Sequence, residues 1–172
     1  MTGIQLVKPE AISEKSYWSY INDWKEAGET IIPVASAPGT ESFEAQVHKW
    51  KNEERGVDLP AGWVSSSLYF LINEDHKILG AVHIRHELTE ALMKLGGHIG
   101  YGIRPDERRK GYATAILQQA LTETEKFGIS EVLVTCDDDN PGSFKAIESN
   151  GGVRDPRDEE ENGVLIRRYW IR

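Results

Sequence analysis

The sequence RPDERRKGYAT, residues 104–114, is the segment that best indicates the fold. The apolar run HIGYGI, residues 98–103, precedes it, and a helical pattern over residues 111–127 follows it. A strand that ends in such a loop and then opens a helix leaves the first N–H groups of that helix without internal acceptors. Since the helix dipole adds partial positive charge at the same place, the stretch predicts an anion site suited to phosphate.

The order of residues within the loop decides between a specific site and an ordinary basic turn. Taken alone, Arg108, Arg109 and Lys110 are typical of a solvated turn. Gly111, however, lets a ligand approach the backbone closely, and Ala113 is small where the helix begins. The dinucleotide fingerprint and the P-loop pattern are both absent, so the loop indicates a phosphate site of another kind.

Composition indicates a water-soluble protein of one domain. The chain has 172 residues, of which 39% are hydrophobic and 28% charged, and its formal net charge is −8. That charge argues against general nucleic-acid binding, and no apolar run approaches the length of a membrane span. No secretory signal is recognisable, so a cytoplasmic location is expected. Cys136 is the single cysteine, which excludes an intramolecular disulfide and suggests a buried, inert thiol.

Periodicity predicts a mixed α/β (α+β) fold over residues 1–172, with a central, mostly antiparallel twisted sheet flanked by helices. The predicted strands are residues 4–7, 66–72, 78–85, 98–103, 131–136 and 164–171. The predicted helices are residues 9–28, 42–55, 111–127 and 143–150, with a short helical turn at 88–95 and a charged loop at 155–162. The aromatic stripe of the first helix is expected to face the core.

The pattern Arg108-x-x-Gly111-x-Ala113 resembles the Arg/Gln-x-x-Gly-x-Gly/Ala loop of the GCN5-related N-acetyltransferases, the GNAT superfamily. The chain is more closely similar to a group of predicted bacterial acetyltransferases that share GGHIGYGIRP, ERRKGYAT and a terminal RRYWI. The resemblance covers residues 64–172 well and the N-terminal third loosely. It implies a GNAT domain that uses acetyl-coenzyme A as cosubstrate, without a metal, to acetylate a primary amine.

The resemblance also implies where acetyl-coenzyme A is bound. In the family the loop amides hold the pyrophosphate, and the preceding strand, here Tyr101, Gly102 and Ile103, faces the pantetheine arm and the thioester. The residues expected to contact acetyl-coenzyme A are Ile103, Arg108, Arg109, Lys110, Gly111, Tyr112, Ala113, Thr114, Asn140 and Ser143. Asn140 also suits a helix N-cap. The strand glycines at 100 and 102 are explained equally well by a bulge or by close approach of a ligand.

Acetyl transfer to an amine requires a base for the amine and a proton for the leaving thiolate. His98 is the first candidate for the base, and a structural histidine is the alternative. The family's usual acid, a tyrosine seven residues after the asparagine, is replaced by Ile147, and Gly152 replaces an aromatic residue. Tyr101, Ser143, Tyr112 or water are open as substitutes for that acid.

The acceptor is the least defined part of the prediction. Trp63, Tyr69, Arg85 and His86 are candidates to line its pocket, together with the loops at 30–40 and 56–62. His83 and His86 lie three apart on a strand and point to opposite faces, so no metal site is expected. The acceptor is a small molecule or a peptide. The alternative function is an acyl-coenzyme A sensor without turnover. Oligomeric state is open, a homodimer being one option.

Overall fold

The computed structural model describes residues 1–172. Its elements are β1 (Ile4–Val7), α1 (Glu14–Glu26), α2 (Phe43–Glu54), β2 (Ser66–Asn73), β3 (Ile78–Arg85), β4 (Ile99–Ile103), α3 (Tyr112–Lys126), β5 (Val132–Asp137), α4 (Pro141–Ser149), β6 (Val153–Arg154), β7 (Glu159–Glu161) and β8 (Val164–Ile171). All strands join one sheet in the order β1-β2-β3-β4-β5-β8-β6, with β7 also paired to β8. Only the β4–β5 pair is parallel, which confirms the predicted mixed fold with a mostly antiparallel sheet.

Three local predictions are corrected. Residues 9–28 do not form one helix, because a 3-10 turn over Pro9–Ala11 ends before Ser13, whose hydroxyl caps α1 by accepting from the Ser16 N–H. The predicted turn at residues 88–95 is a π-helical turn at Leu92–Gly96. The charged stretch 155–162 contains β7, and β6 lies just before it. Strands of two and three residues are too short to show an alternating pattern.

The sheet separates two apolar cores. In β2, Tyr69 and Leu71 pack beneath α3, whereas Leu68, Phe70 and Ile72 pack against α1 and α2. Because side chains alternate along a strand, burial on both faces explains the unbroken apolar run of β2. No helix of the structure combines the length and the hydropathy that crossing a bilayer requires.

The aromatic stripe of α1 packs in the core, as predicted. Tyr17 and Tyr20 make edge-to-face contacts with Phe70 of β2, at centroid distances of 6.1 Å and 5.9 Å. The Tyr17 hydroxyl donates to the carbonyl of Ser36 at 2.8 Å, and the indole of Trp50 in α2 donates to the carbonyl of Ala35 at 2.9 Å. The two helices thereby fix the loop that connects them.

This connecting loop lies over β4. The carbonyl oxygen of Ile32 rests against Gly102, and Pro33 lies beside Gly100. The β3–β4 register continues from Ile99 to Ile103 without a shift, so the glycines do not mark a bulge. Close approach of the chain's own backbone is the physical reason for Gly102, in place of the predicted bulge or ligand.

The two strand glycines should therefore differ in their tolerance of a side chain. A methyl group at Gly102 overlaps the Ile32 carbonyl, whereas one at Gly100 meets its nearest atom at 3.5 Å, an ordinary contact. We expect Gly102→Ala to lower the free energy of unfolding by about 1–3 kcal/mol and Gly100→Ala to change it by less than about 0.5 kcal/mol. Urea denaturation measures both, and equal losses would contradict the loop contact.

Candidate active site

Strand β4 is hydrogen-bonded along only one of its two edges for most of its length. On the β5 side the ladder consists of one pair, Ile99 with Val134, and the two strands separate after it. On the other side, the Arg104 N–H donates to Leu79 of β3 at 2.9 Å, at the end of a continuous register. Alternation along the strand then directs the N–H groups of Tyr101 and Ile103 away from β3. The result is a cleft with free backbone groups between β4 and β5.

The loop after β4 ends in a run of free donors. None of the backbone N–H groups of residues 109–114 donates to an acceptor in the chain, and the first helical bond of α3 runs from Ala115 N–H to Gly111 C=O. Positive φ values at Arg109 (65°) and Gly111 (84°) turn the chain sharply here. The first turn of α3 contains no acidic residue. Six consecutive free N–H groups at a helix N-terminus fit an anionic group such as pyrophosphate.

The loop cations bind the protein's own acidic residues. Arg108 forms a two-pronged ion pair with Glu29, at 2.6 Å and 3.0 Å, and Lys110 contacts Glu107 at 2.8 Å. Arg109 is exposed and forms no ion pair. Of the three predicted phosphate-facing cations, two are therefore neutralised locally, and Arg109 is the cation left beside the free amides.

A phenol and a hydroxyl meet across the cleft. The Tyr101 hydroxyl lies 2.9 Å from the Ser143 Oγ and donates to the Ser143 carbonyl at 3.3 Å. Burial raises the pKa of Tyr101 to about 12, so the phenol keeps its proton at neutral pH. Asn140 caps α4, its side-chain oxygen accepting from the Ser143 N–H at 3.1 Å. Burial also raises the pKa of the Cys136 thiol to about 11, which argues against a cysteine nucleophile.

The two departures from the family pattern are in contact with each other. Ile147 is fully buried in the core beneath α3. A Cβ at Gly152 would lie 2.5 Å from a methyl carbon of Ile147 and 2.8 Å from its carbonyl oxygen. A side chain at 152 would therefore overlap both the side chain and the backbone of residue 147, and position 147 itself carries no polar group.

His98 does not fit the predicted role of general base. Its Nδ1 accepts the N–H of Leu133 at 3.0 Å, so the neutral ring carries its hydrogen on Nε2 and has no lone pair free. Burial, and then the charge of Arg85, lower the pKa of His98. The structural alternative is the better description, with the difference that the bonded group is an amide N–H rather than a carbonyl.

His83 is a second histidine close to β4. It pairs directly with Gly100 across the β3–β4 ladder, on the sheet face of α1 and α2, and no hydrogen bond from the chain reaches its ring. Arg85 lies two residues along the same face, with its Nη2 3.5 Å from a Cβ placed on Gly100. We call the partly exposed surface above Gly100, bounded by Pro33, His83 and Arg85, the Gly100 recess. Sequence reasoning considered His83 only as a metal ligand and not as a base, because only the strand register places it opposite Gly100.

The four predicted acceptor residues separate into different places. Tyr69 is buried beneath α3, where its hydroxyl donates to Glu123 at 3.1 Å. His86 stacks on Phe127 at 4.0 Å and shares a hydrogen bond with Ser67. Both lie on the α3 face, on the opposite side of the sheet from the Gly100 recess. Arg85 borders the recess, and Trp63 is exposed in the turn before β2.

A mixed sheet with a cleft between two parallel strands, and free helix amides at its mouth, defines a class of coenzyme-binding transferases. Family comparison agrees, because a model of the acetyltransferase (GNAT) domain matches residues 11–153. The chain therefore belongs to the GNAT family of acetyltransferases, as the resemblance implied.

Comparison with solved structures supports the same fold. A dodecameric spermidine N-acetyltransferase from Vibrio cholerae shares 17% identity, over 99% of this chain and 94% of that chain, with a TM-score of 0.65. An acetyl transferase from Salmonella typhimurium, which modifies the N-terminal serine of a ribosomal subunit protein, shares 16% identity over 99% and 95% of the chains, also at 0.65. No protein of curated function matches the sequence.

The buried histidines predict how stability depends on pH. Burial lowers the pKa of both His83, to about 3, and His98 below the unfolded value of about 6.5. Below pH 6.5 the unfolded chain binds protons that the folded chain does not, so the free energy of unfolding should fall as pH drops from 7 to 5. His98→Asn keeps an acceptor near the position of Nδ1 for the Leu133 N–H and should flatten this slope. Urea denaturation at several pH values measures it, with the exposed His48→Asn as the matched control, and an unchanged slope in His98→Asn would contradict the assignment of His98 as a buried neutral ring.

Proposed function

We propose that the chain transfers the acetyl group of acetyl-coenzyme A to a primary amine, directly and in a ternary complex. The observation that carries the proposal is the run of free N–H groups at residues 109–114, directly after the half-paired strand β4. We infer that these amides, with Arg109, bind the pyrophosphate. The pantetheine arm then lies along the free edge of β4, where the N–H groups of Tyr101 and Ile103 are available. We further propose that residues 1–172 act as one catalytic domain, which the single continuous sheet supports.

The chemical step needs an amine, a base and an acid. The amine nitrogen attacks the thioester carbonyl carbon, a C–N bond forms and the C–S bond breaks. We assign the amine proton to His83 in place of His98, because no group of the chain hydrogen-bonds to the His83 ring. Burial lowers the pKa of His83 to about 3, so a bound acceptor has to raise that pKa for the ring to take the proton. We assign the proton for the departing thiolate to the Tyr101 hydroxyl, which Ser143 orients and which solvent can reprotonate. The N–H of Tyr101 polarises the thioester oxygen as charge develops on it.

Turnover is favoured over an acyl-coenzyme A sensor. The sensor alternative was motivated by Ile147 at the usual tyrosine position, where the acid is missing from α4. The Tyr101–Ser143 pair supplies a protonated phenol from the strand side of the same cleft, so the missing group has a replacement. The acceptor is a small-molecule or peptide amine. The fold neighbours named above act on spermidine and on an N-terminal serine, which supports an amine acceptor in general.

The phosphate site is tested by a pair of glycine substitutions at the two ends of α3. Gly111 and Gly128 both have positive φ values, 84° and 73°. An alanine at either position should therefore lower the free energy of unfolding by a similar amount, about 1–2 kcal/mol. Only Gly111→Ala should displace the free amides, and we expect it to weaken acetyl-coenzyme A binding by about tenfold. Calorimetric titration measures the affinity. The assignment of the free amides to the pyrophosphate would be refuted if the wild-type protein failed to bind acetyl-coenzyme A, or if the two variants bound it equally well.

The acid and base are tested by their rates. We expect Tyr101→Phe and His83→Gln each to lower kcat by about 10- to 100-fold, while the dissociation constant of acetyl-coenzyme A stays near the wild-type value. Tyr69→Phe is the matched control, since it removes a buried hydroxyl that bonds Glu123 outside the cleft. Release of free thiol with a panel of amines gives kcat. A Tyr101→Phe variant as fast as Tyr69→Phe would remove the phenol from the mechanism.

A further inference from the structure

Arg85 is a largely buried cation without a counterion. Its Nη1 donates to the carbonyls of Gly96 and Gly97, at 2.9 Å and 3.2 Å, which ties the π-helical turn to β3. Its Nε and Nη2 have no partner in the chain, and no carboxylate forms an ion pair with it. Burial alone lowers the pKa of Arg85, and no acidic group offsets that effect. A desolvated guanidinium without an opposing charge destabilises the folded protein, so this residue is costly to retain for packing alone.

The free donors of Arg85 lie at the Gly100 recess, on the α1 and α2 face of the sheet. Nη2 lies beside Gly100, and the next residue, Tyr101, directs its N–H into the cleft where the thioester is proposed to bind. With a rise of roughly 3.3 Å per strand residue and a hydrogen bond of about 2.9 Å from the Tyr101 N–H to the thioester oxygen, the guanidinium lies within about 10 Å of that oxygen. An ion pair of about 3 Å at one end and an attack distance of about 3 Å at the other leave about 4 Å, which fits an amine and a carboxylate separated by a few carbon atoms.

We propose that Arg85 selects acceptors that carry a carboxylate close to the amine to be acetylated. The planar guanidinium, with Nε and Nη2 free, matches a carboxylate in two-pronged geometry, and it repels an acceptor with a second positive charge. The inference rests on the proposed acetyl transfer and specifies its substrate class. The chemistry is shared by two sources, a free amino acid and a peptide with an acidic first residue.

A bound carboxylate also changes the neighbouring base. The charge of Arg85 is, after burial, the next contribution to the lowered pKa of His83. An anionic acceptor group opposite Arg85 offsets that charge and makes His83 more basic when the correct acceptor is present. The charged or titratable groups that lower the pKa of His83 in this way are Arg85, on the same face, and His86, from the opposite face of the sheet. Recognition and proton transfer are then coupled through one ion pair.

Acceptor pairs that differ only in the charge of the acidic group test the proposal. Alanine, β-alanine and 4-aminobutanoate are each compared with the corresponding carboxamide, and a dipeptide beginning with aspartate with one beginning with asparagine. At least one carboxylate should show kcat/KM about tenfold or more above its amide twin, and Arg85→Gln should reduce the ratio to about one. Arg85→Lys keeps the charge without the fork and should give an intermediate ratio. The preferred pair identifies the source.

A second measurement does not depend on turnover or on the Arg85 variants folding. At least one of the carboxylates should raise the midpoint of thermal unfolding of the wild type in the presence of coenzyme A, and its amide twin should not. Acetyl transfer with equal kcat/KM for all twins, or faster transfer to 1,4-diaminobutane, would overturn this inference and leave the proposed function standing. Failure of acetyl-coenzyme A to bind would instead refute the proposed function.

Discussion

The interrupted pairing between β4 and β5 is the constraint on which the rest of the site depends. Parallel strands in one sheet normally share a ladder, and here the ladder stops after Ile99 and Val134. A free strand edge at the centre of a sheet leaves polar backbone groups without partners, which is unfavourable unless a ligand or water satisfies them. The cleft is kept open by what surrounds it: β3 pairs fully with β4, and β8 pairs fully with β5. The separation therefore leaves the N–H groups of Tyr101 and Ile103 unpaired at the centre of the sheet.

The loop at the end of β4 is built by charges that are not themselves the binding groups. Arg104 is buried and contacts Asp106 at 2.7 Å, while its guanidinium reaches the carbonyls of Ile78 and Ser19 in β3 and α1. Arg108 is held by Glu29 at the end of α1. These ion pairs fix the direction in which the chain leaves the strand, and so they orient the amides that follow. Substituting the loop cations removes structural anchors as well as positive charge.

Much of the fold was predictable from the sequence, because long elements carry a period. The run of β2, the alternation of β8 and the helical stripe of α3 each specify their own structure. The sharp turn and the free amides at the start of α3 were predictable for a related reason: Gly111 and the helix that follows it are local features. Contacts between distant segments are not local. His98 and His83 both lie in predicted strands of the sequence. In the structure the His98 ring accepts a hydrogen bond from the Leu133 amide, whereas His83 lies opposite Gly100 with its ring unbonded. Only these long-range partners distinguish the structural histidine from the candidate base. The sequence likewise does not show that Tyr69 and His86 lie on the sheet face that meets α3.

The missing tyrosine illustrates how a site can change without losing its chemistry. Position 147 holds isoleucine, and a side chain at Gly152 would overlap both its methyl carbon and its carbonyl oxygen. The place on α4 where the resemblance expects a tyrosine is therefore apolar, and a phenol can reach the cleft only from another element. Tyr101 projects from β4 onto the α3 face, since odd positions of the strand point there, and this brings its hydroxyl to the first turn of α4. The alternation that turns the Tyr101 N–H into the cleft is therefore the same one that carries its phenol to Ser143, so one residue presents both a backbone N–H and a protonated phenol to the cleft. An apolar residue at position 147 of α4 does not empty the cleft of proton donors, because the strand contributes one of its own.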